Sequence, residues 1–409
     1  MAEIAPQELS AVDFAVREHR SLWVDAWRRL ISSNNARLGM VIIAVFVFSA
    51  VWAHFFWEYN PKTDIDYTLK LKPPTLEKTG NNPEIHLFGT DKLGRDIFRR
   101  VVHGGWNSLR VGLVAITISM FTGVLLGLLA GFYESMEITP IERMFLQILV
   151  GFGLGMLPAW IAGRWWMAAV FGLLGAVSVY FSKFLASTWA RRILFSLVGV
   201  LIGGGIGLTV APMVGLVCGI LGAIIGYIIS NPLSGTFFSN LLMRAMDIIL
   251  AFPSYLLAIA IVAFLGPGLE KGMIAIGIVG IPIFARLTRS AVLSVAQKEY
   301  ILAAQSVGEG HDRIIFRHIF PNILSPIIIQ TTMGLAGAIL SAAALGFLGL
   351  GAIPPEPEWG AMLGDSYRYL TSGSWWAVVY PGLAIMLCVL GFNLLGDGLR
   401  DALDPKLRI

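Results

Sequence analysis

EYILAAQSVGEGHDRIIFRHIFPNI, Glu299 to Ile323, lies between two long apolar runs, near 272–289 and 323–349. It carries Glu299, Tyr300, Glu309, His311, Asp312, Arg313, Arg317 and His318, while the runs beside it are mostly Leu, Ile, Val, Ala and Gly. Apolar runs of about 20 residues match a bilayer core at about 1.5 Å rise per residue. The charged stretch is therefore a loop outside the bilayer, joining two spans. Within it Ile301, Leu302 and Ala304 sit in a helical run that Gly308 breaks. A second short helix, roughly His311 to His318, is expected to end at Pro321, which cannot continue a helix. A helix, a glycine elbow and a second helix make a rigid knob, and the small Ala303 and Ala304 let a partner surface approach the backbone. A solvated loop whose charges only follow the positive-inside bias is the alternative reading.

Working outward, the 409 residues are 56% hydrophobic and 14% charged, with a mean hydropathy of +0.73. A soluble domain would be about a quarter charged, so the fold class is an all-α integral membrane protein. Roughly ten-residue alternating segments, the mark of an outer-membrane barrel, are not seen. Cys218 and Cys388 both fall in apolar runs and read as inert core thiols, with no disulfide framework and no metal site. The net charge of +4 records orientation rather than nucleic-acid binding. Residues 1–37 are polar and lack the apolar core of a secretory leader. Within them Leu22, Trp23, Ala26, Trp27, Leu30 and Ile31 share one helical face, which fits an interfacial helix or a plain lead-in to the first span.

Ten apolar segments pass the length test, near 38–57, 108–131, 144–163, 165–181, 193–210, 212–230, 245–265, 272–289, 323–349 and 376–396. With the N-terminus inside, Arg28, Arg37, Arg143, Lys183, Arg244, Arg313, Lys406 and most other cations fall in cytoplasmic pieces. The short outer loops hold only Arg164, Lys271 and Arg368. Both termini and the Glu299–Ile323 loop are thus expected on the cytoplasmic side of a multi-pass protein. No ionisable residue sits near the middle of a span, which disfavours a proton- or sodium-coupled carrier. The sequence has no G-x-x-x-x-G-K-[ST] loop to cradle ATP phosphates, and its six histidines show no metal-ligand spacing.

The pattern Ala303-Ala304, then Gly308, then Pro321 resembles the EAA loop of ABC importer permeases, with Glu299, Arg313 and His318 inside the same stretch. Leu302 stands where the consensus has Glu, His318 replaces Ile and Phe320 replaces Leu; this form is similar to the variant of the oligopeptide/dipeptide/nickel branch. HLFGTDKLGRDIFRRVV, His86 to Val102, resembles a segment of the same branch through Gly89, Thr90, Asp91, Gly94, Arg95 and Asp96, residues that turn chemistry alone also favours. LMRAMDIILAFPSYLLAIAI, Leu242 to Ile261, matches as well, with Pro253 expected to kink a span. So does the tail from Trp359 to Arg408, including Gly396, Asp397, Arg400 and Asp401; alone, Gly396-Asp397-Gly398 reads as a helix C-cap.

The resemblance implies a bacterial inner-membrane permease subunit that is not itself an enzyme. It implies a second homologous permease, two ABC ATPase subunits that bind ATP and Mg, an extracytoplasmic substrate-binding protein, and surrounding membrane lipid. The loop around Ala303–Gly308 would be the coupling helix seated in the ATPase. The binding protein would meet the 58–107 loop and Pro354–Trp376, whose Trp359, Trp375 and Trp376 suit an interfacial belt. Substrates of the branch range from dipeptides, oligopeptides and glutathione to nickel chelates. The readings from other classes are an ATPase-independent carrier and a non-transporting scaffold.

Such permeases have six core spans, and here about a hundred extra residues intervene. The expected organisation is a cytoplasmic segment 1–37, two core spans with the outer loop over 38–133, an inserted four-span block 134–236, four core spans over 237–396 containing the coupling loop 291–322, and a cytoplasmic tail 397–409. Small-xxx-small pairs such as Gly199/Gly203 and Gly222/Gly226 are expected to pack the insert against itself or to dock another membrane subunit.

Overall fold

The computed structural model describes residues 22–76, 85–137, 139–181, 188–230 and 234–403. The polar stretch 1–21, Lys183, Lys406 and Arg408 lie outside the described residues. Regular structure among the described residues is helical, apart from an isolated bridge between Thr90 and Asp96. Among the described residues six helices are long and apolar enough to cross a membrane: Asn34–Phe56, Ile97–Ser135, Ile141–Ile161, Leu269–Ala296, His311–Phe347 and Trp376–Leu403. The pair Gly235–Leu250 and Ser254–Leu265 passes the same test only together, and Trp166–Ser178, Arg192–Leu208 and Pro212–Ile228 are shorter apolar helices.

The chain forms two compact units, and the first takes in residues to Phe121, Phe252–Ile281 and the chain from Leu324. It opens with α1 (Leu22–Ser32), in which Leu30 packs with Ala36 and Ala402 while Trp27 stays exposed. Ser33 then caps α2 (Asn34–Phe56) by accepting from the Ala36 amide at 3.4 Å. Helix α2 lies against α15 (Trp376–Leu403) so closely that a Cβ on Gly39 would come within 2.8 Å of the Gly391 carbonyl. The core gathers Ile97 and Val101 of α3 (Ile97–Ser135), Ile339 of α13 (Phe320–Phe347), Trp359 of α14 (Trp359–Ser366), and Trp376 and Cys388 of α15. A second cluster joins α3 to α9 (Ser254–Leu265) and α10 (Leu269–Ala296) through Ala115, Val262 and Met273.

The second unit, Thr122–Ala251 and Pro282–Ile323, takes in the stretch 134–236 read above as an insert. Helices α4 (Pro140–Ile161) and α5 (Trp166–Phe181) form one hairpin, and α6 (Thr188–Leu208) and α7 (Pro212–Ser230) another. Glycines let backbones touch in both: a Cβ at Gly199 would overlap the Gly222 carbonyl, and one at Gly151 the Phe171 carbonyl. Ala159, Phe171, Phe195, Cys218 and Ile225 make one buried cluster across the four helices. The insert packs on itself, as one of its two sequence readings expects. Leu146 and Val150 of α4 also pack with Phe238 of α8 (Gly235–Leu250) and with Leu129 and Tyr133 of α3.

Three expectations change and one is sharpened. The apolar stretch 245–265 is broken at the expected kink: Pro253 lacks the amide a continuous helix needs, so α8 stops at Leu250 before α9 begins at Ser254. Pro321 does not end a helix. The short α12 (His311–Arg313) runs through a π turn, Ile314–Ile319, into α13, so His311–Phe347 is continuous. A π turn shifts the hydrogen-bond register, which is how a helix passes a residue with no donor. Gly396-Asp397-Gly398 is no C-cap, because α15 continues to Leu403; the glycines are there for contact, a Cβ at Gly396 meeting Met333 at 2.8 Å. Trp359 and Trp376 form no interfacial belt: Trp359 is 1% exposed and both sit in the core, leaving only Trp375 outside.

Candidate functional site

Helix α11 (Glu299–Ser306) follows α10 after a short break, with the acidic Glu299 in its first turn, where the helix dipole favours it. Its end is a Schellman motif: the Gly308 amide donates to the Gln305 carbonyl at 2.9 Å and Glu309 to Ala304 at 3.1 Å. Gly308 has φ +79°, a conformation that costs an L side chain about 1 kcal/mol or more. Glu309 then braces the elbow, with Oε2 2.9 Å from His318 Nε2 and Oε1 3.7 Å from Arg313 Nε. Ile301, Ile314, Ile319 and Ile323 are buried and root the knob.

The tip is apolar and uncovered: Leu302 is 51% exposed, Val307 88% and Phe316 70%, with Ala303 exposed between them and Ala304 half-buried. The positive-inside bias alone accounts for the charges of this loop but not for such residues.

Under the knob the structure adds residues that the sequence reading missed. His311 Nδ1 lies 2.8 Å from Glu142 Oε1, and its ring meets Phe132 edge-on at 5.2 Å. Gln305 contacts the Met136 sulfur. Nearby, Glu134 takes two bonds from Arg289 (2.8 and 2.9 Å) and one from Ser239 (2.6 Å), tying α3, α10 and α8 together. The capping signal Thr139-x-x-Glu142 was legible in the sequence; the partners of Glu134 and Glu142 were not.

The six motif residues of the 86–102 segment are drawn into one hydrogen-bonded knot. Asp91 accepts from the Leu93 and Arg95 amides at 2.8 and 3.0 Å and pairs with Arg95 Nε at 2.7 Å and with Arg100, all buried. Thr90 bonds the Leu69 carbonyl and accepts from the Lys72 amide, while its own carbonyl accepts from Trp376 Nε1 at 3.1 Å. Asp96 caps α3 through the Arg99 amide and holds His86 Nδ1 at 2.7 Å. Gly94 has φ +77° against the Asp66 carbonyl, leaving no room for a Cβ. Gly89 is similarly confined by the Lys72 carbonyl.

In the same unit Glu358 caps α14, accepting from the Gly360 and Ala361 amides at 2.8 Å each and from Ser108. Burial pushes its carboxyl above the usual carboxylate range, with these three donors pulling the other way. A cavity of about 580 Å³ is lined by His54 stacked on Trp106, by Tyr59 and His103, and by Arg110 and Glu356. Of the four motif residues in α15, Asp397, Arg400 and Asp401 are exposed and Gly396 is buried.

Residues 215–409 match the family described as the binding-protein-dependent transport system inner membrane component. Residues 21–74 match the N-terminal TM domain of oligopeptide transport permease C. The dipeptide transport system permease protein DppC of Alkalihalophilus pseudofirmus is 38% identical over 393 residues, 95% of this chain and 91% of that protein. The di/tripeptide transport system permease protein DppC of Pseudomonas aeruginosa is 35% identical over 382 residues, 93% of this chain and 91% of the relative. The glutathione transport system permease protein GsiD of Pectobacterium atrosepticum is 32% identical over 389 residues, 95% and 93%.

Proposed function

This chain belongs to the oligopeptide/dipeptide branch of the ABC importer permeases, and from that premise we propose that it forms half of a pathway for short peptides, driven by an ATPase that docks on the tip of α11. It is a multi-pass membrane permease, and the carrier and scaffold readings are not favoured by these similarities.

The observation that carries the docking reading is the set of exposed apolar residues on the knob, Leu302 and Ala303 of α11, Val307 at its C-cap and Phe316 in the π turn beyond the elbow. Uncovered apolar residues grouped on a rigid projection mark a protein contact. Two ATPase subunits would bind ATP and Mg, and a second homologous permease would supply the other half of the path. The ATPase can shift the permease only by preferring one of its arrangements, and the knob transmits that difference. His311–Phe347 supports this role, because an unbroken helix carries a push at its end into the span.

Ten crossings account for the six long helices, the broken pair and the three shorter apolar helices. An even four in the insert keeps the downstream orientation and supports both termini on the cytoplasmic side. The substrate-binding protein would then meet the outer loops, where the cavity beside Tyr59, Trp106 and Glu356 offers aromatic and charged groups.

The test is peptide uptake and ATP hydrolysis by the complete complex in proteoliposomes. Ala303→Asp should keep the protein inserted while peptide transported per ATP falls at least about ten-fold, because an unpaired charge buried at an interface costs well over 1.4 kcal/mol. Full coupling by this variant at normal abundance refutes the docking reading.

A further inference from the structure

We propose that the inserted block is a positioning element for the coupling loop, acting through the bond between Glu142 of the insert and His311 of the loop. The proposal rests on the docking reading given above, since it concerns how the docking helix is held.

Glu142 is itself fixed. Its Oε2 accepts from the Thr139 amide at 2.9 Å and the Thr139 hydroxyl at 2.8 Å, and its own amide donates back to that hydroxyl at 3.3 Å. The capping box holds the carboxylate in one rotamer at the start of α4 and leaves Oε1 free to face His311 Nδ1 at 2.8 Å. A carboxylate only accepts, so Nδ1 is the nitrogen that carries the proton. The imidazole also lies edge-on to Phe132, with 77° between the planes. His311 is thus held by a directional bond and by a ring contact, and it stands directly after Gly310, on the far side of the Gly308 elbow from α11.

The near side has a tie of its own, from Gln305 of α11 to Met136. One side chain on each arm of the elbow therefore reaches the short segment Phe132–Glu142, where α3 gives way to the insert. Residues 169 apart in the chain are joined at both points. A capping box alone needs no such partner: Thr139 and Glu142 would satisfy each other without His311. Side-chain exposures of 27% and 23% put the pair in partial contact with solvent, so it is worth a single screened, charge-assisted hydrogen bond. That is enough to bias the angle of a loop whose tip must fit a partner.

The experiment measures peptide transported per ATP hydrolysed by the complete complex in proteoliposomes, beside Ala303→Asp as the reference uncoupled variant. His311→Phe keeps a ring against Phe132 but removes the donor; His311→Asn restores a donor close to the Nδ1 position. Glu142→Ala removes the acceptor, whereas Glu142→Gln retains the Thr139 cap and a neutral bond. We expect His311→Phe and Glu142→Ala each to lower the ratio about five-fold, the size of one such bond, at unchanged yield of complex. His311→Asn and Glu142→Gln should stay within about two-fold, and the double variant His311→Phe with Glu142→Ala should be no worse than either single one. Full coupling by His311→Phe and Glu142→Ala, while Ala303→Asp is uncoupled, overturns the proposal. So does a loss of yield with the ratio unchanged, since the pair would then only stabilise the fold. If Ala303→Asp itself stays coupled, the docking reading fails and takes this proposal with it.

Discussion

The carboxyl of Asp91 gathers the guanidinium groups of Arg95 and Arg100 with two backbone amides, all away from solvent. Asp91→Asn would leave two buried cations facing a neutral group. Breaking a buried pair from one side costs about 3–5 kcal/mol, so the variant should fail to reach normal abundance, or melt markedly lower in detergent by a thermal-shift assay. Glu358 makes the opposite case, since burial raises its carboxyl. The protonated form is favoured in the folded state, so the stability linked to this group is fully present below the unfolded pKa of about 4.5 and is lost as pH rises through the raised value. Glu358→Gln should flatten that decline: plotted against pH, the difference in melting temperature between wild type and variant should turn against the wild type above the carboxylate range. A difference that does not vary with pH would show that folding leaves the proton affinity of this carboxyl unchanged.

At the scale of elements, the hairpin α6–α7 depends on absent side chains. Gly222 faces the Gly199 carbonyl, Gly226 faces Phe195, and Gly203 faces Cys218, whereas Gly153 of α4 has nothing within 4 Å of a built Cβ. Gly222→Leu should therefore splay the two helices and increase proteolytic cleavage of the insert, while Gly153→Leu should leave it unchanged. Equal sensitivity of the two variants would deny that close approach holds the hairpin. Pro321 is the other lesson at this scale. A rule that reads proline as a stop is right about the missing donor and wrong about the outcome, because the π turn at Ile314–Ile319 reroutes the bonds.

For the whole molecule, the two ends of the insert lie side by side. A Cβ on Gly235 would overlap the Tyr133 carbonyl, so α8 begins against the last turn of α3. Segments whose ends meet are the ones that can be removed without tearing the core. Replacing 139–233 by a short Gly/Ser linker keeps Glu134, Ser239 and Arg289, the cluster that ties α3, α8 and α10. The shortened chain should still insert and transport, but with a lower peptide-to-ATP ratio, because Glu142 is gone. Reconstituted transport checks this, and a ratio equal to wild type would leave the insert without a part in coupling.

The sequence alone determined the class of fold, the position of nearly every apolar helix, and the helix-and-elbow form of the charged loop between two of them. A bilayer must be satisfied one helix at a time, so composition over about 20 residues carries that information. Gly308 was equally legible, since a left-handed helix end is set by its own residue. Only the tertiary structure decided that Trp359 is core rather than belt, that Gly396 and Gly398 are contacts rather than a cap, that Asp91 is the centre of a knot, and that Glu142 reaches His311. Trp359, the two glycines and Glu142 depend on partners far along the chain, 169 residues away in the last case, while the knot at Asp91 closes on Arg95 and Arg100 through the local turn. Local periodicity has no term for a distant neighbour, and packing supplies it.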